Sequence, residues 1–195
     1  SVDTTGLIGS HILNLLLNDE SFESVRLLVR RPVPANHSKV KVIVLDFEDE
    51  KAFREGIAGC DTVFVAVGTT QKKVNGDKTA YRKVDYDIPV SAARFCKESG
   101  GKQFLLVSSV GANSQSNNFY LKLKGEVEDK IGTFSVPSVS VFRPSMLLGK
   151  RNESRPMEKI AQAISKPLGF LFPSKYKPIK ARDVARAMIA ASNQN

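Results

Sequence analysis

Short apolar runs alternate with amphipathic segments along most of this chain. Mostly apolar runs, typical of buried strands, occupy positions 25–29, 40–45, 62–67, 104–107 and 139–142. The spacing of apolar residues predicts a helix after the first glycine-containing turn and further helices over about 48–56, 79–99 and 182–191. Because strands and helices alternate, the pattern predicts an α/β fold: a doubly wound, mostly parallel sheet with helices on both faces.

Two of the predicted helices contain residues that bear on where they end or bend. Pro89 lies inside the 79–99 segment, where a proline removes a backbone hydrogen bond, so we expect a kink there. Gly100 and Gly101 are expected to end that helix. The helix over 48–56 is expected to close at Gly56, because glycine commonly follows the last helical turn.

The turn before the first helix has the composition of a phosphate-binding turn. Two glycines three positions apart precede an apolar helix, whose first N–H groups can meet a phosphate. The usual dinucleotide fingerprint has a further glycine where this chain has Asp3, and a strand before it, where only Ser1 and Val2 stand. Either the first strand is missing from the chain or the fingerprint is damaged. The predicted cofactor contacts here are Thr5, Gly6, Leu7, Ile8 and Gly9.

A basic pair follows the strand over 25–29. Arg30 lies 21 positions after Gly9, close to the roughly 20-residue distance at which a Rossmann unit places the residue that meets the adenosine ribose. An acid there would bind the 2′-hydroxyl, whereas Arg30 and Arg31 can pair with a 2′-phosphate. The pair therefore favours NADP(H) over NAD(H). The alternative is that two arginines merely solvate the end of a strand.

Further cofactor contacts are predicted at the carboxyl ends of the next two strands, where doubly wound sheets bind their ligands. Asp46 and Phe47 follow one strand, and Asp46 could meet the adenine amino group or instead cap the following helix. Gly68 and Thr69 follow the other strand and would let a cofactor approach the backbone closely.

Tyr120 and Lys124 form the most informative pair of side chains. Four positions apart on a helix, they project from the same face one turn apart. A fixed ammonium near a phenol favours the phenolate, which makes the tyrosine a better acid-base catalyst at neutral pH. A solvated helix face is the alternative when this spacing is taken alone.

Composition narrows the class of protein. A chain of 195 residues fits one domain, here predicted over 1–195, and it has no apolar run of the roughly 18 residues that a membrane span needs. Cys60 and Cys96 have no second thiol at metal or redox spacing, so we predict two buried thiols, a reducing, cytoplasmic location and no metal site. The net charge of +9 is spread along the chain without interleaved aromatics, which favours a polyanionic cofactor over nucleic acid.

Four motifs together carry a resemblance to a known family. They are Thr-Gly-Leu-Ile-Gly at 5–9, Val-Ser-Ser-Val-Gly-Ala at 107–112, Tyr-Leu-Lys-Leu-Lys at 120–124 and Phe-Arg-Pro-Ser at 142–145. In this order they resemble an atypical short-chain dehydrogenase/reductase with a Rossmann fold. The run Arg-Asn-Glu-Ser-Arg-Pro at 151–156 is similar to that of the Tat-interacting-protein branch.

The resemblance implies an oxidoreductase that transfers a hydride between a nicotinamide and a small carbonyl or alcohol. Tyr120 would exchange the proton, Lys124 would hold the nicotinamide ribose, and Ser109, or else its neighbour Ser108, would stabilise charge on the substrate oxygen. Asp85 stands where many relatives have an asparagine of a proton relay, or it is an ordinary polar helix residue. The remaining contacts that the resemblance implies with the nicotinamide end of the cofactor are Arg143, Pro144 and Met146; for Arg143 the alternative is a surface ion pair.

The same residues leave a second hypothesis open. The chain could be a non-catalytic dinucleotide-binding module that regulates or contacts another protein, or that forms a homo-oligomer. Substrate specificity is expected to come from a small extension over 147–180, whose pattern of side chains does not identify a substrate.

Overall fold

A computed structural model describes residues 6–70, 73–145, 147–148 and 178–194. The helices are α1 (Leu7–Leu17), α2 (Glu50–Ile57), α3 (Lys78–Arg82), α4 (Ile88–Glu98), α5 (Phe119–Gly132) and α6 (Ala181–Ser192), with a π-helical turn at Lys83–Asp87. The strands are β1 (Val25–Val29), β2 (Val40–Val44), β3 (Thr62–Val65), β4 (Gln103–Val107), β5 (Ser138–Phe142), β6 (Leu147–Leu148) and β7 (Ile179–Lys180).

All strand pairs in the described part of the chain are parallel, as predicted. Strand β1 pairs with β2, β4 lies between β3 and β5, and β6 pairs with β7. The amino ends of β1, β3, β4 and β5 border a wide cleft. The carboxyl ends, where the cofactor contacts were predicted, therefore lie at the opposite edge of the sheet. Whether another strand precedes the first turn stays a prediction, because residues 1–5 lie outside the described ranges.

Helices cover both faces of the sheet, which confirms the doubly wound α/β fold. Alternate strand residues face opposite sides, so neighbouring residues of one strand enter different cores. Phe64 and Leu105 pack with α1 and α6, whereas Val65 and Phe104 pack with α2, α4 and α5. The fully buried members that anchor the two cores are Ile12 and Met188 on one side, and Phe53, Phe95 and Ile131 on the other.

The long helix predicted over 79–99 is divided into three pieces. Residues Lys78–Arg82 and Ile88–Glu98 are α-helical, and the π-helical turn Lys83–Asp87 joins them. Pro89 is the second residue of α4, one position after Ile88, which follows the turn. A π-helical turn widens the backbone locally, which accommodates a proline that cannot donate a hydrogen bond. The π-helical turn is therefore the disturbance of the helix that was expected near Pro89.

The boundaries of α2 differ from the prediction. The helix ends at Ile57 rather than at Gly56, and the residue in a left-handed conformation is Gly59, with φ of 73°. Asp49, not Asp46, caps the helix, because its side chain accepts a hydrogen bond from the N–H of Ala52 at 3.0 Å. The interpretation of Asp46 as the helix cap was therefore wrong.

Both cysteines are free thiols, but only one is fully buried. Cys96 lies in the core, and Cys60 is half-buried near the amino ends of the strands, so the prediction of two buried thiols was correct for Cys96 alone. Within the described ranges, no helix combines the length and the apolar character that crossing a membrane requires.

Candidate active site

Helix α5 brings Tyr120 and Lys124 to one face, as their spacing predicted. The helix begins after Asn118, whose side-chain oxygen accepts a hydrogen bond from the N–H of Leu121 at 3.1 Å. The Nζ atom of Lys124 lies 5.9 Å from the centroid of the Tyr120 ring. Tyr120 is 36% exposed, whereas Lys124 is buried. The phenol can thus meet a ligand from solvent while the ammonium is held inside the protein.

A buried carboxylate holds the Lys124 ammonium. Asp85, in the π-helical turn, places its Oδ1 atom 3.0 Å from the Nζ atom of Lys124. Its Oδ2 atom accepts a hydrogen bond from the N–H of Thr69 at 2.7 Å. The Asp85 side chain is 2% exposed and that of Lys124 is 7% exposed. Buried charges are retained where they are paired and hydrogen-bonded, and both conditions are met here.

Asp85 was considered only as a possible member of a proton relay and was not among the predicted site residues. The residues around Asp85 do not distinguish it from any other polar position of a helix. The only sequence feature that pointed to a role in the site was its place in the family motif. The contact with Lys124 crosses 39 positions of the chain, from Asp85 to Lys124, and depends on the π-helical turn. Asp85 is 1% exposed, so it is not a solvated helix residue, and its place in a proton relay stays a prediction.

Aromatic side chains join the loop after β3 to the start of α5. The hydroxyl of Tyr81 donates a hydrogen bond to the carbonyl of Thr69 at 3.4 Å. The ring of Tyr81 packs edge-on against that of Phe119, with centroids 5.6 Å apart. Thr69 is therefore held through its N–H by Asp85 and through its carbonyl by Tyr81, next to the helix turn that bears Tyr120.

The two serines after β4 have different surroundings. Ser108 is buried and its hydroxyl donates to Oε1 of Glu128 on α5. Ser109 is half-buried, and within the described ranges its hydroxyl makes a long, local contact of 3.3 Å with the carbonyl of Val110. The hydroxyl of Ser108 is thus committed to a structural partner, whereas that of Ser109 is held weakly.

Arg143 forms the ion pair that sequence reasoning left as an alternative. Its guanidinium donates to both carboxylate oxygens of Glu128, with Nε 3.1 Å from each. Hydrogen bonding to the Glu128 carboxylate raises the pKa of Arg143. The next residue, Pro144, accepts a hydrogen bond through its carbonyl from the N–H of Val110 at 3.0 Å. Glu128 and Pro144 together fix the loop after β5 against the loop after β4.

The predicted phosphate turn starts α1 without a side-chain cap. Gly6 is the N-cap residue, and its extended backbone precedes Leu7, the first helical residue. Ile8 and Gly9 are buried, which brings the start of the helix close to its neighbours. Gly6 has no side chain that could cap the first N–H groups, so these groups suit an anion, and the described residues here fit a dinucleotide phosphate. Thr5 lies outside the described residues.

The other predicted cofactor residues lie at the carboxyl ends of the strands. The residues that follow β1 lie beside those that follow β2, because the last residues of the two strands, Val29 and Val44, are paired. Of these, Arg30, Arg31 and Asp46 are exposed, and Phe47 is half-buried with its ring edge-on to Phe53. After β3, Gly68 is exposed and Thr69 is half-buried. The arrangement fits an extended ligand across this edge of the sheet; Met146 lies outside the described residues.

Comparison with known proteins now adds the family. The sequence profile of a family described as NAD(P)H-binding matches residues 4–195. The chain belongs to this NAD(P)H-binding family. It is 34% identical to the Debaryomyces hansenii "Protein FMP52, mitochondrial", over 99% of this chain and 86% of that protein. It is 35% identical to the Rattus norvegicus "Protein HTATIP2", over 95% of this chain and 76% of that protein.

These relatives confirm the resemblance to the Tat-interacting-protein branch of atypical short-chain dehydrogenases/reductases. They also correct one prediction. The cytoplasmic location inferred from the two cysteines was wrong, because FMP52 relatives of D. hansenii, Candida albicans and Meyerozyma guilliermondii are all named as mitochondrial proteins. Free thiols report a reducing environment, and such an environment is not specific to the cytoplasm.

Solved structures share the fold of this NAD(P)H-binding domain. The Bordetella bronchiseptica enzyme WbmH, in complex with NAD+, superposes with a TM-score of 0.75 and 18% identity, covering 99% of this chain and 71% of that chain. MoeE5 in complex with UDP-glucose and NAD gives a TM-score of 0.72 at 18% identity, covering 99% of this chain and 71% of that chain. At this identity the likeness supports the Rossmann-type fold.

Proposed function

We propose that this chain is an NADP-dependent oxidoreductase that interconverts a small carbonyl compound and its alcohol. The observation that carries the proposal is the position of Tyr120, a partly exposed phenol one helical turn from a buried ammonium. The NAD(P)H-binding family and its oxidoreductase-type fold supply the context. The relevant chemistry is proton exchange at a substrate oxygen, for which a positioned phenol is suited.

Each residue of the site has a separate role in the proposal. Tyr120 exchanges a proton with the substrate oxygen, and Ser109 donates a hydrogen bond to the same oxygen as charge develops on it. The weak local contact of the Ser109 hydroxyl supports this choice, since the Ser108 hydroxyl is engaged by Glu128. Lys124 holds the ribose next to the reacting ring. A bound nicotinamide would supply or accept the hydride.

The residues that would hold the cofactor follow the carboxyl edge of the sheet. The N–H groups at Gly6 to Gly9 would bind the pyrophosphate, and Gly68 and Thr69 would lie against the middle of the ligand. The exposed side chains of Arg30 and Arg31 favour a 2′-phosphate, because guanidinium groups bind phosphate oxygens in pairs. We infer NADP(H) over NAD(H) from this pair.

A mitochondrial location follows from the same relatives. Three of them carry the word mitochondrial in their names, and we infer that this chain works in that organelle. The substrate is proposed only by class. Structural neighbours such as MoeE5 are described with nucleotide sugars, so such compounds belong in a substrate screen beside simple ketones and aldehydes.

The proposal is tested first by binding. Purified protein is titrated with NADPH and with NADH, and the fluorescence of the reduced nicotinamide is followed. Tighter binding of NADPH is the expected result. If neither nucleotide changes the fluorescence, the proposal that this chain is an oxidoreductase is wrong.

A second candidate function is favoured by one specific contact. The Lys124 ammonium is paired with Asp85, and a lysine so held could serve to bind a dinucleotide without taking part in a reaction. The chain would then be a dinucleotide-binding module that regulates or contacts another protein. The module would be favoured over the enzyme if the protein binds the nucleotide but turns over no carbonyl compound, and if replacing Tyr120 leaves the nucleotide affinity unchanged.

A further inference from the structure

We infer that Asp85 is a positioning residue that sets the preference of the site between oxidised and reduced cofactor. It does so by neutralising the charge of Lys124, while its other carboxylate oxygen holds Thr69 in the loop after β3. The inference rests on the proposed function, in which Lys124 lies beside the nicotinamide end of the cofactor. Its basis in the structure is one buried carboxylate that bonds both a lysine and a backbone N–H.

The pair formed by Asp85 and Lys124 differs from the other ion pairs around it. Arg82 pairs with Glu126 and Lys83 pairs with Glu48, but all four of those side chains are between 29% and 66% exposed. Solvent screens such surface pairs strongly. The side chains of Asp85 and Lys124 are at most 7% exposed, so their charges act at short range with little screening.

The π-helical turn carries two carboxylates, of which one is inside the protein and the other is outside. Asp85 and Asp87 are two positions apart in the turn, yet Asp85 is 1% exposed while Asp87 is exposed. Asp85 also lies against the loop after β3, since a β-carbon on Gly68 would stand 3.6 Å from its Oδ1 atom. The carboxylate therefore borders the backbone that is proposed to meet the cofactor.

The electrostatic consequence concerns the nicotinamide ring, which carries a positive charge when oxidised and none when reduced. With Asp85 present, the buried pair is neutral and does not oppose a positively charged ring. Without the carboxylate, the Lys124 ammonium would be left alone and would repel the oxidised ring. One unit charge at roughly 10 Å in a medium of effective dielectric constant about 20 changes an equilibrium on the order of tenfold.

The test measures dissociation constants of NADPH by its fluorescence and of NADP+ by competition. In Asp85→Asn we expect the ratio of the NADP+ constant to the NADPH constant to rise on the order of tenfold over that of the unchanged protein. Asp87→Asn is the matched control, and its ratio should stay at the original value. The double variant Asp85→Asn with Lys124→Met removes both charges, so its ratio should return to the original value even if both nucleotides bind more weakly.

The outcomes separate this inference from the proposed function. Absence of binding by the unchanged protein overturns both. Binding of both nucleotides with an unaltered ratio in Asp85→Asn overturns the role of Asp85 and leaves the proposed function standing. Where Asp85→Asn does not fold, recovery of folding and of the original ratio in the double variant supports the inference. If the double variant does not fold, or folds without the original ratio, the inference is overturned.

Discussion

Gly125 lies so close to the backbone of Asn113 that a β-carbon on Gly125 would stand 2.7 Å from the Cα atom of Asn113. The same β-carbon would meet the backbone nitrogen of Ser114. Real β-carbons essentially never approach this closely, so only glycine fits at this position without movement of the backbone. Because Gly125 follows Lys124 directly, this contact sets the distance between α5 and the loop that begins at Ser109.

Gly125→Ala is therefore expected to destabilise the protein by about 3 kcal/mol, through a clash with backbone atoms that cannot rotate away. The matched control is Gly132→Ala, at the last residue of α5, where a β-carbon would meet nothing within 4 Å. That change should be neutral or stabilising by up to about 1 kcal/mol, since alanine favours helix. Urea unfolding of the two variants measures both effects. Equal stabilities would contradict the close packing of α5.

Glu128 is expected to stabilise the fold more than its neighbour on the same helix, Glu126. Glu128 accepts hydrogen bonds from buried Ser108 and from Arg143, whereas Glu126 pairs with Arg82 near the surface. Glu128→Gln should lower the free energy of unfolding by about 1–3 kcal/mol, and Glu126→Gln by less than about 1 kcal/mol. Thermal or urea unfolding compares them directly. A larger loss in Glu126→Gln would show that Glu128 does not join the two loops.

Burial and, as a smaller cause, the charge of nearby Cys60 raise the pKa of the Cys96 thiol to about 11. A thiol whose pKa is higher in the folded state than in the unfolded state stabilises the fold fully below the unfolded pKa of about 9. The contribution is lost as pH rises through the folded value. We expect a loss of about 2–3 kcal/mol between about pH 9 and about pH 11.

The pH dependence of Cys96 is measured by urea unfolding at several alkaline pH values. The decline should become shallower in Cys96→Ala, which has no thiol to titrate there. It should persist in Cys60→Ala, whose thiol is only half-buried. If the free energy of unfolding declines equally with pH in the unchanged protein and in Cys96→Ala, the assignment of this decline to Cys96 is wrong.

Arg30 and Arg31 should determine the choice between the two dinucleotides. Replacing both with alanine removes charge-assisted hydrogen bonds to a 2′-phosphate, so NADPH should bind about tenfold to hundredfold more weakly, with NADH little changed. Lys41→Ala, an exposed cation on β2, is the control for a general loss of positive charge. An equal loss of affinity for NADPH and NADH would contradict the proposed preference for NADP(H).

The sequence was sufficient for features that depend on neighbouring residues. Apolar runs located the parallel strands, and a spacing of four placed Tyr120 and Lys124 on one face of α5. Features that depend on distant residues were missed. Nothing local indicates that Asp85 faces Lys124, because a π-helical turn changes which positions of a helix point inward.

Similar causes apply to the partner of Arg143, for which a surface ion pair was one of two alternatives, and to the end of α2. Arg143 has a partner on α5, and a contact between a loop and a helix leaves no periodic pattern in the sequence. The end of α2 was misplaced at Gly56 because that glycine lies inside the helix, while Gly59 has the left-handed backbone. A glycine near the end of a helical pattern indicates a boundary only when its own conformation requires glycine.

The proposed acid-base role of Tyr120 is tested most directly by turnover. Oxidation of NADPH is followed spectroscopically with a panel of small ketones, aldehydes and nucleotide sugars. Tyr120→Phe is compared with Tyr86→Phe, a change in the π-helical turn at a ring whose centroid lies 3.9 Å from the guanidinium carbon of Arg82. Loss of a positioned proton donor should lower kcat by about 10²–10⁴-fold in Tyr120→Phe, with NADPH affinity retained and with Tyr86→Phe near the original rate. Full turnover by Tyr120→Phe would contradict the account.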